Sequence, residues 1–381
     1  RIGISRMAAA TTSTGQVVPA SQGLSCHAWN SDGSSIAVSP NNNELVIFEN
    51  CQAPIKEWTE KFRLNEHDLS ISGIDWHPVS NMILTCAHDR NAFVWHFDEE
   101  TGVWNPSLVI LRIEHAAISC KWSPDGRKFA VSSGAKCVSV CHYEEENSWW
   151  VSKMIKKPHK STVLCVAWHP NSQMLATGSS DFKCRWFSAY IPFEGDQGPD
   201  GEQEMGPLQE GDSMKPFAEL YKDWGGNGWV HCAAWSPSGM ALAFGAHDSS
   251  IHFVTFGGEK PVEQVIRFGF LPLCSLIFST EDSLVGAGHD CNPALFENNG
   301  GWAFKDFLDK KSEVAEVKQA TSGAASARAM FQNKAKTGQN KKEDNSNSWQ
   351  KHLSPITCMQ QLQSGGISTS ALDGRLTVWT V

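Results

Sequence analysis

The chain has 381 residues, 41% hydrophobic and 19% charged, a balance that supplies a large core and excludes wholesale disorder. A net charge of −9 argues against a nucleic-acid partner, since phosphate binding needs clustered Lys and Arg. The 12 Cys contain no CxxC pair and no even framework, so they are expected to be buried thiols in a reducing compartment, with no metal and no cofactor expected.

In chain order, Met7-Ala-Ala-Ala has the form of a natural start, with Arg1 to Arg6 upstream of it, and residues 1–15 read as a disordered tail. Residues 16–21, extended and apolar at Val17 and Val18, are expected to be a strand. A pattern then begins that repeats through the chain. Trp29, Trp76, Trp122 and Trp168 follow one another at intervals of 47, 46 and 46 residues, near the roughly 40 to 45 residues of a propeller blade. Each ends a short apolar segment and precedes a turn: Cys26-His-Ala-Trp29-Asn-Ser-Asp-Gly33, Gly73-Ile-Asp-Trp76-His-Pro78, Cys120-Lys-Trp122-Ser-Pro-Asp-Gly126 and Cys165-Val-Ala-Trp168-His-Pro170. Pro and Asp-Gly are turn formers, so strand then turn is the prediction. The unit returns at Cys232-Ala-Ala-Trp235-Ser-Pro237, more weakly at Cys274 to Phe278, and around Ile356-Thr-Cys358.

Seven copies, each with further apolar strands after its turn, predict an all-β chain: a seven-bladed WD40 β-propeller spanning 16–381. Three copies share a polar set: His67, Thr85, Asp89 and Trp95; His159, Thr177, Asp181 and Trp186; His352, Thr369, Asp373 and Trp379. In WD40 blades such side chains form an internal hydrogen-bonded chain that satisfies groups whose burial is otherwise costly. The chain ends at Val381, leaving the seventh copy one outer strand short. The strand at 16–21 is expected to close the ring there and remove an exposed sheet edge.

Two insertions of opposite charge interrupt the repeat. Residues 191–214 hold seven acidic residues and no basic one, with several Gly and Pro, and read as a solvated surface loop. Residues 300–351, between copies six and seven, include a basic stretch with Arg328, Lys334, Lys336, Lys341 and Lys342. Within it, 324–336 is rich in helix formers, and Ala327, Met330 and Phe331 fall on one helical face. An apolar tip on a basic arm suggests docking into a partner; a solvated loop that never orders is the alternative.

His88-Asp89, His247-Asp248 and His289-Asp290 resemble catalytic pairs, but they recur at one blade position, whereas a catalytic constellation is assembled once. A structural role is expected, and no catalytic residue is assigned. Cys137, Cys141 and His142 lack a fourth ligand for zinc. The longest apolar stretch, 268–280, contains Pro272 and is far short of the roughly 20 residues of a spanning helix. No secretory leader is visible, so no membrane partner is expected and the cytoplasm is the expected location.

Several strings go beyond a generic blade: Asp89-Arg-Asn-Ala-Phe-Val-Trp95, Lys156-Lys-Pro158, Asp181-Phe-Lys-Cys-Arg-Trp-Phe-Ser-Ala-Tyr-Ile191, Ala287-Gly-His-Asp-Cys291, and Ala327-Arg328 leading to Phe331-Gln-Asn333. From about Leu24 to Val381 the chain resembles the subunit 1 family of the actin-related protein 2/3 complex. The resemblance implies a non-catalytic scaffold in an assembly that, activated by a nucleation-promoting factor, starts a branch on an existing actin filament. It implies contacts with the small subunits and actin-related protein 2, and an insert helix, here Ala327, Arg328, Met330, Phe331, Gln332, Asn333 and Lys334, reaching toward the filament or activator. Met330 and the run to Lys342 depart from the family pattern, and the acidic loop has no obvious counterpart in it. The fold alone also suits another WD40 adaptor, such as one serving a ubiquitin ligase.

Overall fold

The computed structural model describes residues 14–17, 23–54, 57–193, 207–208, 214–258, 260–310, 350–363 and 365–381. These form seven four-stranded antiparallel sheets, one per predicted repeat. Blades 1 to 6 comprise 26–64, 71–109, 117–155, 163–225, 230–267 and 273–307. In each, strands pair in chain order from the inner strand outward.

Blade 7 is assembled from both ends of the chain. Strands Ile356–Gln361, Gly366–Ala371 and Arg375–Thr380 are completed by Thr14–Val17, which pairs antiparallel to the last of them, Thr14 opposite Val378 and Val17 opposite Arg375. Ring closure is therefore as expected, but the closing strand lies earlier than 16–21 and takes Thr14 and Gly15 from the segment read as tail. Pro19 offers no amide hydrogen to a ladder, so pairing that continued through it would lose a bond.

The 46-residue interval has a packing cause. The described apolar residues sort into clusters that each bridge two neighbouring blades, and the repeated aromatic sits in the junction with the preceding blade. Trp76 fills the junction of blades 1 and 2, Trp122 that of 2 and 3, Trp168 that of 3 and 4, Trp235 that of 4 and 5, and Phe278 that of 5 and 6. Leu24, Ile36 and Leu376 join blades 7 and 1. A large ring at the same place in five junctions accounts for the recurrence of Trp76, Trp122, Trp168 and Trp235, whereas the junction of blades 6 and 7 is packed by Val285, Ile356 and Ile367.

Neighbouring turns are also latched to one another. His77 Nε2 lies 3.0 Å from the Gly126 carbonyl oxygen of the next blade, and His169 Nε2 lies 3.2 Å from that of Gly239. Both glycines adopt positive φ, 72° and 77°, and an added Cβ would lie 2.3 Å and 2.0 Å from those imidazole rings. The turns therefore require glycine for conformation and for space.

Antiparallel order gives the ring two distinct rims. One carries the turns after the first and third strands of each blade, and the other carries the turn after the second strand together with the connections between blades. The acidic insertion follows a third strand and departs from the turn rim, whereas the basic insertion departs from the crossover rim. Both are narrower than the sequence boundaries. Trp302–Phe307 is the fourth strand of blade 6, with Trp302 stacked on Phe253 at 4.2 Å, so the blade extends past 300. Ile191 and Met214 are buried in the junctions that blade 4 makes with blades 3 and 5. Most of 194–213, and all of the expected helix, lie outside the described residues.

Candidate functional site

The three predicted polar sets do not behave alike. In blade 2, Thr85 Oγ1 is 2.8 Å from His67 Nε2 and accepts the Trp95 indole N–H at 3.0 Å, while His67 Nδ1 is 2.8 Å from Asp89. In blade 7, Thr369 Oγ1 is 2.7 Å from His352 Nε2 and accepts from Trp379 at 2.8 Å, with Asp373 at 3.6 Å from the other ring nitrogen. In blade 4, His159 Nε2 reaches Thr177 at 2.9 Å, but Trp186 Nε1 makes no hydrogen bond.

The cause is one residue of spacing. Trp95 and Trp379 lie six residues after their Asp, and Trp186 lies five. Thr85 faces Phe93 across the ladder, and Thr177 faces Arg185, so Phe187, not Trp186, occupies the place of Trp95. Successive strand residues point to opposite sides, and Trp186 is turned into the junction with blade 5. There it stacks on Tyr221 at 4.5 Å and contacts Phe256 at 5.3 Å. Trp186 therefore leaves the polar set and joins the core. The odd interval of five was legible in the sequence.

Arg185 also draws Asp181 away. Its Nη1 donates to the carboxylate at 2.9 Å, and His159 Nδ1 is left without a partner. Burial and then the Arg185 charge hold His159 down to about 4. In blade 2 burial likewise lowers His67, opposed by its hydrogen bond to the Asp89 carboxylate. The Asp residues have a second job in all three blades, since Asp89, Asp181 and Asp373 accept the backbone N–H of the residue after each His: Asp68, Lys160 and Leu353. Asp248 and Asp290 of the other His-Asp pairs accept from Ser250 Oγ and from the Leu271 amide. Asp290 thereby ties a turn to a crossover as the three sets do, whereas Asp248 bonds within its own turn.

The inner strands surround a channel of about 670 Å³. Its wall carries a polar cluster built from four different blades. Lys121 donates to Asp75 at 2.8 Å and to Gln360 at 3.3 Å, Asp75 accepts the Trp122 amide, and Gln360 donates to the His27 carbonyl. Blades 7, 1, 2 and 3 are thereby linked across the channel wall. Burial opposes the Lys121 charge, yet Asp75 holds the amine above its ordinary value. Its ammonium is a poor base at neutral pH, and the nearby thiols are protonated as well, with burial pushing Cys165 up to about 12 and Cys274 up to about 11. The cluster has the character of a structural tie. No spacing rule signalled it, because its members come from separate blades.

Among the described residues no group of three or more His, Cys, Asp or Glu side chains is arranged to hold a metal ion. The base of the basic insertion is well defined. Asp309 accepts the Lys351 amide at 2.7 Å, and Asn292 and Asp309 exchange two hydrogen bonds at 3.0 Å. Arg375 donates to the Lys351 carbonyl at 2.7 Å. The two ends of the insertion are thus stitched together against blades 6 and 7. Ala327, Arg328, Met330, Phe331, Gln332, Asn333 and Lys334 themselves lie outside the described residues.

The pattern of the WD domain, G-beta repeat, matches residues 58–96, 151–188 and 218–254. Over 367 residues the chain is 42% identical to actin-related protein 2/3 complex subunit 1A-B of Xenopus laevis, covering 93% of each. The chain belongs to the actin-related protein 2/3 complex subunit 1 family. It is 38% identical over 370 residues to subunit 1B of Arabidopsis thaliana, covering 94% of each, and 35% identical over 322 residues to subunit 1 of Schizosaccharomyces pombe, covering 84% of this chain and 78% of that one. Members of the subunit 1 family from an animal, a plant and a yeast thus match most of the propeller, not only its three recognisable repeats.

Proposed function

We propose that the chain is a non-catalytic scaffold subunit of an actin-related protein 2/3 complex in the cytoplasm and actin cytoskeleton. It binds actin-related protein 2 and the small subunits and supports branched nucleation once a nucleation-promoting factor has activated the assembly. The observation that carries this reading is the identity to subunit 1 relatives along nearly the whole chain. The closed ring and the protonated channel thiols fit a scaffold.

Reconstitution tests it: assemblies formed with and without this chain are mixed with actin and an activator, and branches are counted by fluorescence microscopy. Branching that requires the chain supports the proposal, and equal branching without it defeats the scaffold role. The insert is the proposed contact with filament or activator, and its two ends meet at the Asp309–Lys351 base. Phe331→Ala is expected to leave the melting temperature unchanged and to reduce branching severalfold. A clearly lower melting temperature would instead make Phe331 part of the folded body.

A further inference from the structure

The outer edge of blade 3 carries a feature that ring stability does not require. Its strands Val138–Glu144 and Trp149–Ile155 end in a hairpin on the turn rim, with Glu144 directly opposite Trp149. Trp149 is 61% exposed and Tyr143 42% exposed, although an apolar ring gains by burial. Trp150, by contrast, packs on Phe129 at 5.0 Å and Trp122 at 5.7 Å, so the core takes one Trp of the pair and leaves the other to solvent.

The hairpin tip places Glu144, Glu145 and Glu146 beside these rings, and among the described residues none of the three is in an ion pair. Together they line a groove of about 1000 Å³ that continues to Phe193. One guanidinium already sits on an aromatic ring there: Arg127 Cζ lies 4.2 Å from the centre of the Phe193 ring. The groove thus combines an exposed indole, a phenol and three carboxylates, which suits a cation that is both flat and charged.

We propose that this groove docks a basic segment of a partner protein, with an Arg or Lys head over Trp149 and its charge met by Glu144 to Glu146. The carboxylates repel phosphate surfaces and acidic peptides, and charge complementarity selects the basic occupant. The site stands on this local geometry and does not depend on which assembly holds the chain.

The test uses the full chain and a short fluorescent peptide alternating Arg and Gly, with binding read by anisotropy at low and moderate salt. The same peptide with Gln for Arg is the control. We expect binding of the Arg peptide only, weakened by salt, and about tenfold weaker in E144Q/E145Q/E146Q and in W149A. Both variants should keep the parent melting temperature, because the altered side chains are at the surface. E99Q/E100Q, on the same rim at blade 2, should bind like the parent. Equal binding of the Gln peptide, undiminished binding in W149A, or an equal loss in E99Q/E100Q would overturn the proposal. So would a concentration-dependent dimer abolished by W149A, which would make a second copy the occupant.

Discussion

In blade 2 the Thr85 hydroxyl serves two buried partners, His67 and Trp95, whereas in blade 4 the Thr177 hydroxyl serves His159 alone. Both blades present a His, a Thr, an Asp and a Trp in that order. The difference is that blade 4 moves its Trp by one residue and places Arg185 where blade 2 has Phe93. A polar network in a strand depends on parity as much as on composition: a side chain displaced by one position faces the other junction. Blade 4 exchanges an indole hydrogen bond for stacking on Tyr221, and a His–Asp contact for an Arg–Asp pair.

The largest predicted contrast follows from the number of groups orphaned. Thr85→Val leaves His67 Nε2 and the Trp95 N–H buried without a partner, at about 1 to 3 kcal/mol each, and Thr177→Val orphans only His159. Thr85→Val should therefore lower stability about twice as much in denaturant titrations. Equal losses would mean that the two networks are equivalent in spite of their geometry.

A smaller contrast separates the tryptophans. Trp95→Phe and Trp186→Phe both shrink a packed ring, but only the first breaks a hydrogen bond, so it should cost about 1 kcal/mol more. If Trp186→Phe proved the more damaging, stacking on Tyr221 would outweigh the bond to Thr85.

The smallest is a difference in pH response. His159 is held down to about 4 in the fold against an ordinary 6.5, so as pH falls the unfolded chain takes up the proton first. Its contribution leaves stability intact above about 6.5, erodes it between 6.5 and 4, and is flat below. His159→Gln should flatten the melting temperature across that window. His67→Gln should flatten it less, because Asp89 offsets part of the burial. Identical profiles would show that Arg185 does not set the blade 4 environment.

The same contrast shows what a sequence can reveal. The repeats were legible because an aromatic recurs at the same place in most junctions, and Trp76, Trp122, Trp168 and Trp235 each fill an equivalent gap. Ring closure was legible from the short seventh copy, although its register depends on where backbone amides are free, which puts the strand upstream of Pro19. Trp186 matches the polar set in composition but not in strand parity, and parity decides which side it faces. The Lys121–Asp75–Gln360 tie had no linear signature, since Asp75 and Gln360 lie 285 residues apart and meet only when the ring closes. Trp149 and Trp150 look equivalent as letters, and only the side of the strand each occupies separates core from surface.

Membership of this propeller in an assembly is tested by purifying the full chain from its own cells under native conditions and measuring the masses of what remains bound. Two actin-related proteins are expected in equal amount with it. Recovery of the chain alone, or with ubiquitin-ligase subunits instead, would contradict it.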